Sequence, residues 1–239
     1  MKKIASALFL VAGMAVMALP ASADTYHLTF NGGSSPAYGG YQIAAYNFTV
    51  TDGSQSFNLD MACIDFGREI SGNEQWDANL YGITSPSIPT NDPNPQVTTA
   101  ELEAMAILDN EMKAAPVGST LATDYQYAIW SLSVASPTGP TFDANALQYA
   151  IDAVAAVAAG TGNALYDANS STFANYYYFD PIAGSETGNL GSPQRFLVEL
   201  PPSSPVPHTS PVPEPSSLML LGTGVIGLAS AARRRLVKA

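Results

Sequence analysis

Residues 46–63 read YNFTVTDGSQSFNLDMAC. Two alternating runs flank a turn signal. Tyr46, Phe48 and Val50 share one face of a first strand, and Phe57, Leu59, Met61 and Cys63 share one face of a second. Asp52-Gly53-Ser54 between them predicts a hairpin. The period of two places Cys63 with three apolar residues, so its side chain is expected to point into a core. Upstream, Tyr26, Leu28 and Phe30 repeat the pattern and predict an earlier strand.

Downstream the period changes. Thr98-Thr99-Ala100-Glu101 is a capping-box sequence, followed at helical spacing by Leu102, Met105, Ala106 and Met112. Thr123 to Trp130 predicts a short helix that stops before Pro137. Asp143 is placed to cap a third helix carrying Leu147, Ala150, Ile151, Val154, Val157 and Ala158 on its apolar face, ended by Gly160. Closing strands are predicted at 176–179 and 196–200, and the proline- and asparagine-rich stretch 84–97 as a surface loop. The expected class is α+β: antiparallel β-strands, as a partly open barrel or a sandwich, with a helical middle and one C-terminal transmembrane helix.

The chain has 239 residues with 20 acids, 9 bases and a net charge of -11. One cysteine excludes a disulfide framework within the chain and cysteine-rich metal sites. The acidity argues against nucleic acid as a partner, since that binding rests on Lys and Arg neutralising phosphates. Most of the bases sit at the two ends. Residues 24–213 keep only Arg68, Lys113 and Arg195 against 19 acids, a net charge of −16. That balance suits an extracellular protein that resists non-specific association.

The ends read as addresses. Lys2 and Lys3 precede an apolar run from Ile4 to Leu19 and a small-residue site at Ala21-Ser22-Ala23. Residues 1–23 therefore predict a secretory signal peptide cleaved after Ala23. At the other end, Val212-Pro213-Glu214-Pro215 comes before seventeen uncharged residues, 216–232, and then Arg233-Arg234-Arg235. Seventeen helical residues rise roughly 25 Å, the lower limit for a bilayer core. The arginines are expected to stay cytoplasmic and stop transfer, with the body of the chain outside the inner membrane. This order of parts over 212–239 resembles the PEP-CTERM sorting signal. The resemblance implies a Gram-negative, exopolysaccharide-producing source and processing near Pro213-Glu214-Pro215 by an exosortase-type membrane protease. It also implies a transient inner-membrane anchor, then delivery to the outer surface or matrix. Residues 201–211 are a proline-rich linker, which leaves 24–200 as the extracellular domain.

A lone cysteine in an exported chain can be a small buried hydrophobe, half of an intermolecular disulfide, or a reacting group. Cys63-Ile64-Asp65 closes the predicted strand, and Gln126-Tyr127-Ala128-Ile129-Trp130 lies in the predicted helix. Together they resemble the thioester domains of bacterial surface adhesins, which pair a Cys-hydrophobic-Asp element with a Thr-Gln-x-Ala-Ile-Trp element. Ala62 and Tyr125 depart from that pattern. The resemblance implies an internal thioester between the Cys63 sulfur and the Gln126 side-chain carbonyl, flanked by Ile64, Asp65, Ala128, Ile129 and Trp130. Such a bond would attach the chain covalently to a surface amine or hydroxyl, without turnover and without a cofactor. The residues also allow a plainer role, since Thr123-x-x-Gln126 is itself a capping-box spacing.

Other constellations point less sharply. Asp60, Asp65 and Glu69, or Glu101 and Glu103, read as a solvated acidic face. Asn91-Asp92-Pro93-Asn94 lacks calcium-loop spacing, and no metal site is expected. His27 is the only histidine in the domain and has no Gly-x-Ser-x-Gly partner element, so no enzyme is expected. Trp76 and the aromatic run 176–179 could stack on sugars or simply pack. A non-covalent matrix or polysaccharide-binding protein of the same fold is therefore the alternative function.

Overall fold

The computed structural model describes residues 25–33, 41–43, 45–84, 97–133, 144–160, 173–187, 191 and 193–200. These residues all lie within one compact unit, Ala23–His208. The signal peptide with its cleavage site, most of the 84–97 loop, Pro137, the Asp143 cap, the linker, the sorting motif, the transmembrane segment and the arginine stop lie outside them. Among the described residues, no helix is long and apolar enough to cross a membrane.

Six antiparallel strands close a barrel in the order β1-β2-β3-β6-β5-β4. They are β1 (Thr25–Gly33), β2 (Tyr46–Thr51), β3 (Ser56–Cys63), β4 (Gln75–Gly82), β5 (Tyr176–Pro181) and β6 (Phe196–Glu199). Among the described residues, three helices lie between β4 and β5 in sequence: α1 (Thr99–Ala114), α2 (Thr120–Ser133) and α3 (Ala144–Ala159).

The β2–β3 hairpin forms as its sequence predicts, with Thr51 opposite Ser56 and Tyr46 opposite Met61. Its turn is held by the Asp52 carboxylate, which accepts from the amides of Ser54 and Gln55 at 2.9 and 2.8 Å. Positive φ at Gly53, +89°, completes the turn. In β1 a bulge between Phe30 and Gly32 shifts the register against β2, and Gly32 supplies the φ of +127° that it needs.

A six-stranded barrel has room only for side chains. Alternate residues fill it: Leu28, Phe48, Val50, Cys63, Trp76 and Phe196 are all buried inside. Phe48 packs edge-on against Trp76 and Phe196, with centroids 5.7 and 4.6 Å away. The opposite faces of β3, β5 and β6 present Ala62, Tyr176, Tyr178 and Leu197 to a second core shared with the helices. The strands β5 and β6 are thus buried on both sides.

The structure corrects the expected architecture in four places. The sheet is closed, not a partly open barrel or sandwich, because β4 seals it by pairing with both β1 and β5. Strand β4 was unread in the sequence: Trp76, Ala78 and Leu80 do alternate inward, but Asp77 and Asn79 between them are poor strand formers.

The second helix is longer than predicted. It begins at Thr120, with the Ser119 hydroxyl accepting from the Ala122 amide at 3.2 Å. Thr123 is therefore inside the helix, its hydroxyl bonded to the Ser119 carbonyl, and Gln126 caps nothing. Every residue from Ala122 to Trp130 is buried, as befits a helix with neighbours on all sides.

The third helix is turned partway from the expected face. It buries Ala146, Ala150, Ala153 and Ala156 and packs Val154 and Val157 against the core, while Leu147, Ile151 and Ala158 stay exposed. Small side chains let the helix sit close to its neighbours, which a stripe of Leu and Ile would not permit.

Candidate functional site

Strand β3 ends where the barrel meets α2. There Cys63, Ile64 and Asp65 diverge in three directions. Cys63 faces the barrel interior, and Ile64 enters the helical core, both fully buried. Asp65 is clamped by Arg195: the guanidinium Nε donates to both carboxylate oxygens at 2.9 Å, and Nη2 also donates to the carboxylate. The Arg195 amide adds a fourth bond at 2.8 Å. Its carbonyl accepts from the Ile64 amide at 3.1 Å. Bidentate geometry and backbone bonds together make this buried pair well satisfied. Asp65 is thus not part of a solvated acidic face, whereas Asp60 and Glu69 are exposed.

Gln126 reaches this strand end from the middle of α2. It is fully buried, and its Nε2 donates to the Cys63 carbonyl oxygen at 2.8 Å. Its Oε1 has no hydrogen-bond partner among the described residues. A buried amide oxygen left unsatisfied is costly. The Cys63 thiol donates to the Asp65 carbonyl at 3.2 Å. Burial, reinforced by the Asp65 charge, pushes the thiol up to about 12. A neutral thiol is a weak nucleophile in that state.

One helical turn beyond Gln126, Trp130 is buried with its Nε1 lacking a partner at full hydrogen-bond geometry among the described residues. It lies close enough to the Cys63 sulfur to work against the upward shift of the thiol. Its ring packs on Phe66, Tyr127 and Tyr41, with centroids at 5.2, 5.6 and 6.1 Å. Ala128 and Ile129, also fully buried, belong to the helical core instead. Beyond Trp130 opens a cavity of about 510 Å³ lined by Tyr41, Tyr46, Phe66, Glu69 and Gln194. Tyr46 also approaches Cys63, and burial raises its phenol pKa well above the ordinary value.

The sequence therefore found Cys63, Gln126 and Trp130, and the fold brings them together. It missed Arg195, Tyr41 and Phe66. No spacing links Asp65 to Arg195 across 130 residues, and the two aromatics carry no motif.

The remaining candidates separate from this site. His27 is exposed on the barrel surface, with Nδ1 2.9 Å from Asp77 and Nε2 3.4 Å from Gln75 across the β1–β4 pair. Trp76, Tyr176, Tyr178 and Phe179 are buried and offer no face to a sugar, whereas Tyr177 is partly buried. Among the described residues, no group of three or more His, Cys, Asp or Glu side chains is arranged to hold a metal ion.

A second cluster ties the helices to the barrel. Buried Asp109 in α1 meets Lys113 at 2.7 Å and accepts from the Tyr176 hydroxyl at 3.2 Å. Lys113 also reaches Glu199 at 3.5 Å.

The chain is thus an α+β protein that combines a closed antiparallel barrel with a C-terminal address. Residues 211–235 match the PEP-CTERM protein-sorting motif. The match supports export across the inner membrane and processing by an exosortase membrane protein as one of its substrates. No curated protein and no solved structure shows significant similarity to the chain.

Proposed function

We propose that this is an exported surface or exopolysaccharide-matrix protein that attaches covalently to a partner through a Cys63–Gln126 thioester. The observation that carries the reading is the Gln126 amide seated on the Cys63 backbone, fully buried, with its carbonyl oxygen unsatisfied. A glutamine amide is a poor electrophile. Held beside a thiol in a dry site, it gains from proximity what it lacks in reactivity.

In the forming step the Cys63 sulfur bonds to the Gln126 Cδ and the C–N bond breaks. The thiol proton leaves with the nitrogen as ammonia, and no electrons change hands. An amine or hydroxyl of the partner then attacks Cδ. The C–S bond breaks, and the proton of the attacking group passes to sulfur. The cavity beyond Trp130 is the approach that the geometry favours, since it is the open space that adjoins the Cys63 neighbours Trp130 and Tyr46.

Intact mass of the exported full-length chain tests the reading. The thioester form is lighter by one ammonia, and Cys63→Ala restores the full mass. Full mass together with an alkylatable Cys63 after unfolding would end the proposal.

A second reading has its own support. The thiol pushed up to about 12 and its bond to the Asp65 carbonyl describe a quiet, well-packed cysteine. In that case the protein is a non-covalent matrix or polysaccharide-binding component. Retention on the cell's own exopolysaccharide that is unchanged in Gln126→Ala would support it.

A further inference from the structure

We propose that the Trp130 indole N–H is the donor that stabilises the Cys63 sulfur as negative charge develops there, in both the making and the opening of the thioester. The proposal rests on the thioester reading of the same site and assigns a role that the bond itself does not require.

Three observations converge on it. Trp130 lies four residues after Gln126 in α2, so both side chains leave the same face of the helix. Gln126 is anchored on Cys63, which brings Trp130 to the same strand end. The Trp130 Nε1 is buried without a full hydrogen-bond partner among the described residues, although an indole N–H normally finds one in an interior. Trp130 and Cys63 belong to the same buried cluster, so the indole and the sulfur share one interior.

The free thiol has its own acceptor, the Asp65 carbonyl, and so needs nothing from Trp130 in the resting state. A thiolate no longer has the proton that bonded the Asp65 carbonyl. It gains most from a donor, because burial and the neighbouring Asp65 charge both oppose it. An N–H held ready in a dry site strengthens as charge appears, at no cost of reorganisation. The remainder of the ring is fixed by Phe66, Tyr127 and Tyr41, which keep the donor aimed.

The test compares the full-length chain with Trp130→Phe and with benzothienylalanine at position 130. The second keeps the bicyclic shape and removes only the N–H. Methylamine is the probe, and ammonia loss and thiol release are followed by mass against pH. Both variants should form and open the bond about tenfold more slowly, with the rate–pH profile of formation displaced to higher pH and thermal midpoints near wild type for the benzothienyl form. A packing defect alone would lower the rates without moving the profiles. Unmoved profiles, or wild-type rates in the benzothienyl form, would overturn the role of Trp130 while leaving the thioester intact. A wild-type chain with no ammonia deficit would instead overturn the thioester reading and this proposal with it.

Discussion

The side-chain amide of Gln126 donates to the carbonyl oxygen of Cys63 at 2.8 Å, across 63 residues of sequence. One partner closes β3 and the other sits in the middle of α2, so the bond pins the barrel to its central helix. Because Gln126 is not a helix cap, its placement is explained by Cys63 and not by the local needs of α2.

The strand end that carries Cys63 is held by Asp65 and Arg195, and it should be sensitive to either. Removing one member of a buried pair leaves an uncompensated charge. Asp65→Ala and Arg195→Ala should each lower stability by about 3–5 kcal/mol. The double variant should fall short of the sum of the two. Urea unfolding checks all three, and full additivity would show that the pair does not act as a unit.

The Cys63 thiol carries a pH signature. Its pKa is 9.0 as an ordinary thiol and about 12 in the fold. Above 9.0 the unfolded thiol ionises while the folded one keeps its proton, so the unfolded state gains. Stability should therefore fall as pH rises through that window, by up to about 1.4 kcal/mol per pH unit. On a Gln126→Ala background, where no thioester forms, the slope should exceed that of the Cys63→Ala, Gln126→Ala pair. Equal slopes in denaturant titrations would mean that the thiol is not buried as described.

The alanine stripe of α3 makes an asymmetric prediction. Ala153 is fully buried and Ile151 is 61% exposed. Enlarging the first by Ala153→Leu should cost about 1–3 kcal/mol through overpacking. Ile151→Lys should change stability by less than about 0.5 kcal/mol. The reverse ranking in thermal melts would restore the helix face expected from the sequence.

For the tail, deletion of residues 214–239 removes the motif's Glu214 and everything after it. The exported domain should then leave the membrane fraction and appear soluble. Continued membrane association on fractionation would show that the chain is held by something else.

The hairpin, the capping box of α1 and the inward Cys63 were legible because each is local. Alternation, turn chemistry and a Thr–Glu pair three residues apart state their geometry within a dozen residues. The sorting tail was legible for the same reason. Strand β4 was not, because Asp77 and Asn79 are tolerated only where a closed barrel supplies neighbours on both edges.

The sequence by itself determined the C-terminal sorting motif, the antiparallel start and the helical middle, and it singled out Cys63 and Gln126 as candidates. Only tertiary structure decided that the barrel closes, which face α3 buries, that Asp65 belongs to Arg195, and that Gln126 serves Cys63 and not its own helix. The reason is physical. Local patterns fix which way a side chain points, while partners 63 and 130 residues away are chosen by how the elements pack. Desolvation then sets the cost of leaving any of those buried polar groups unmatched.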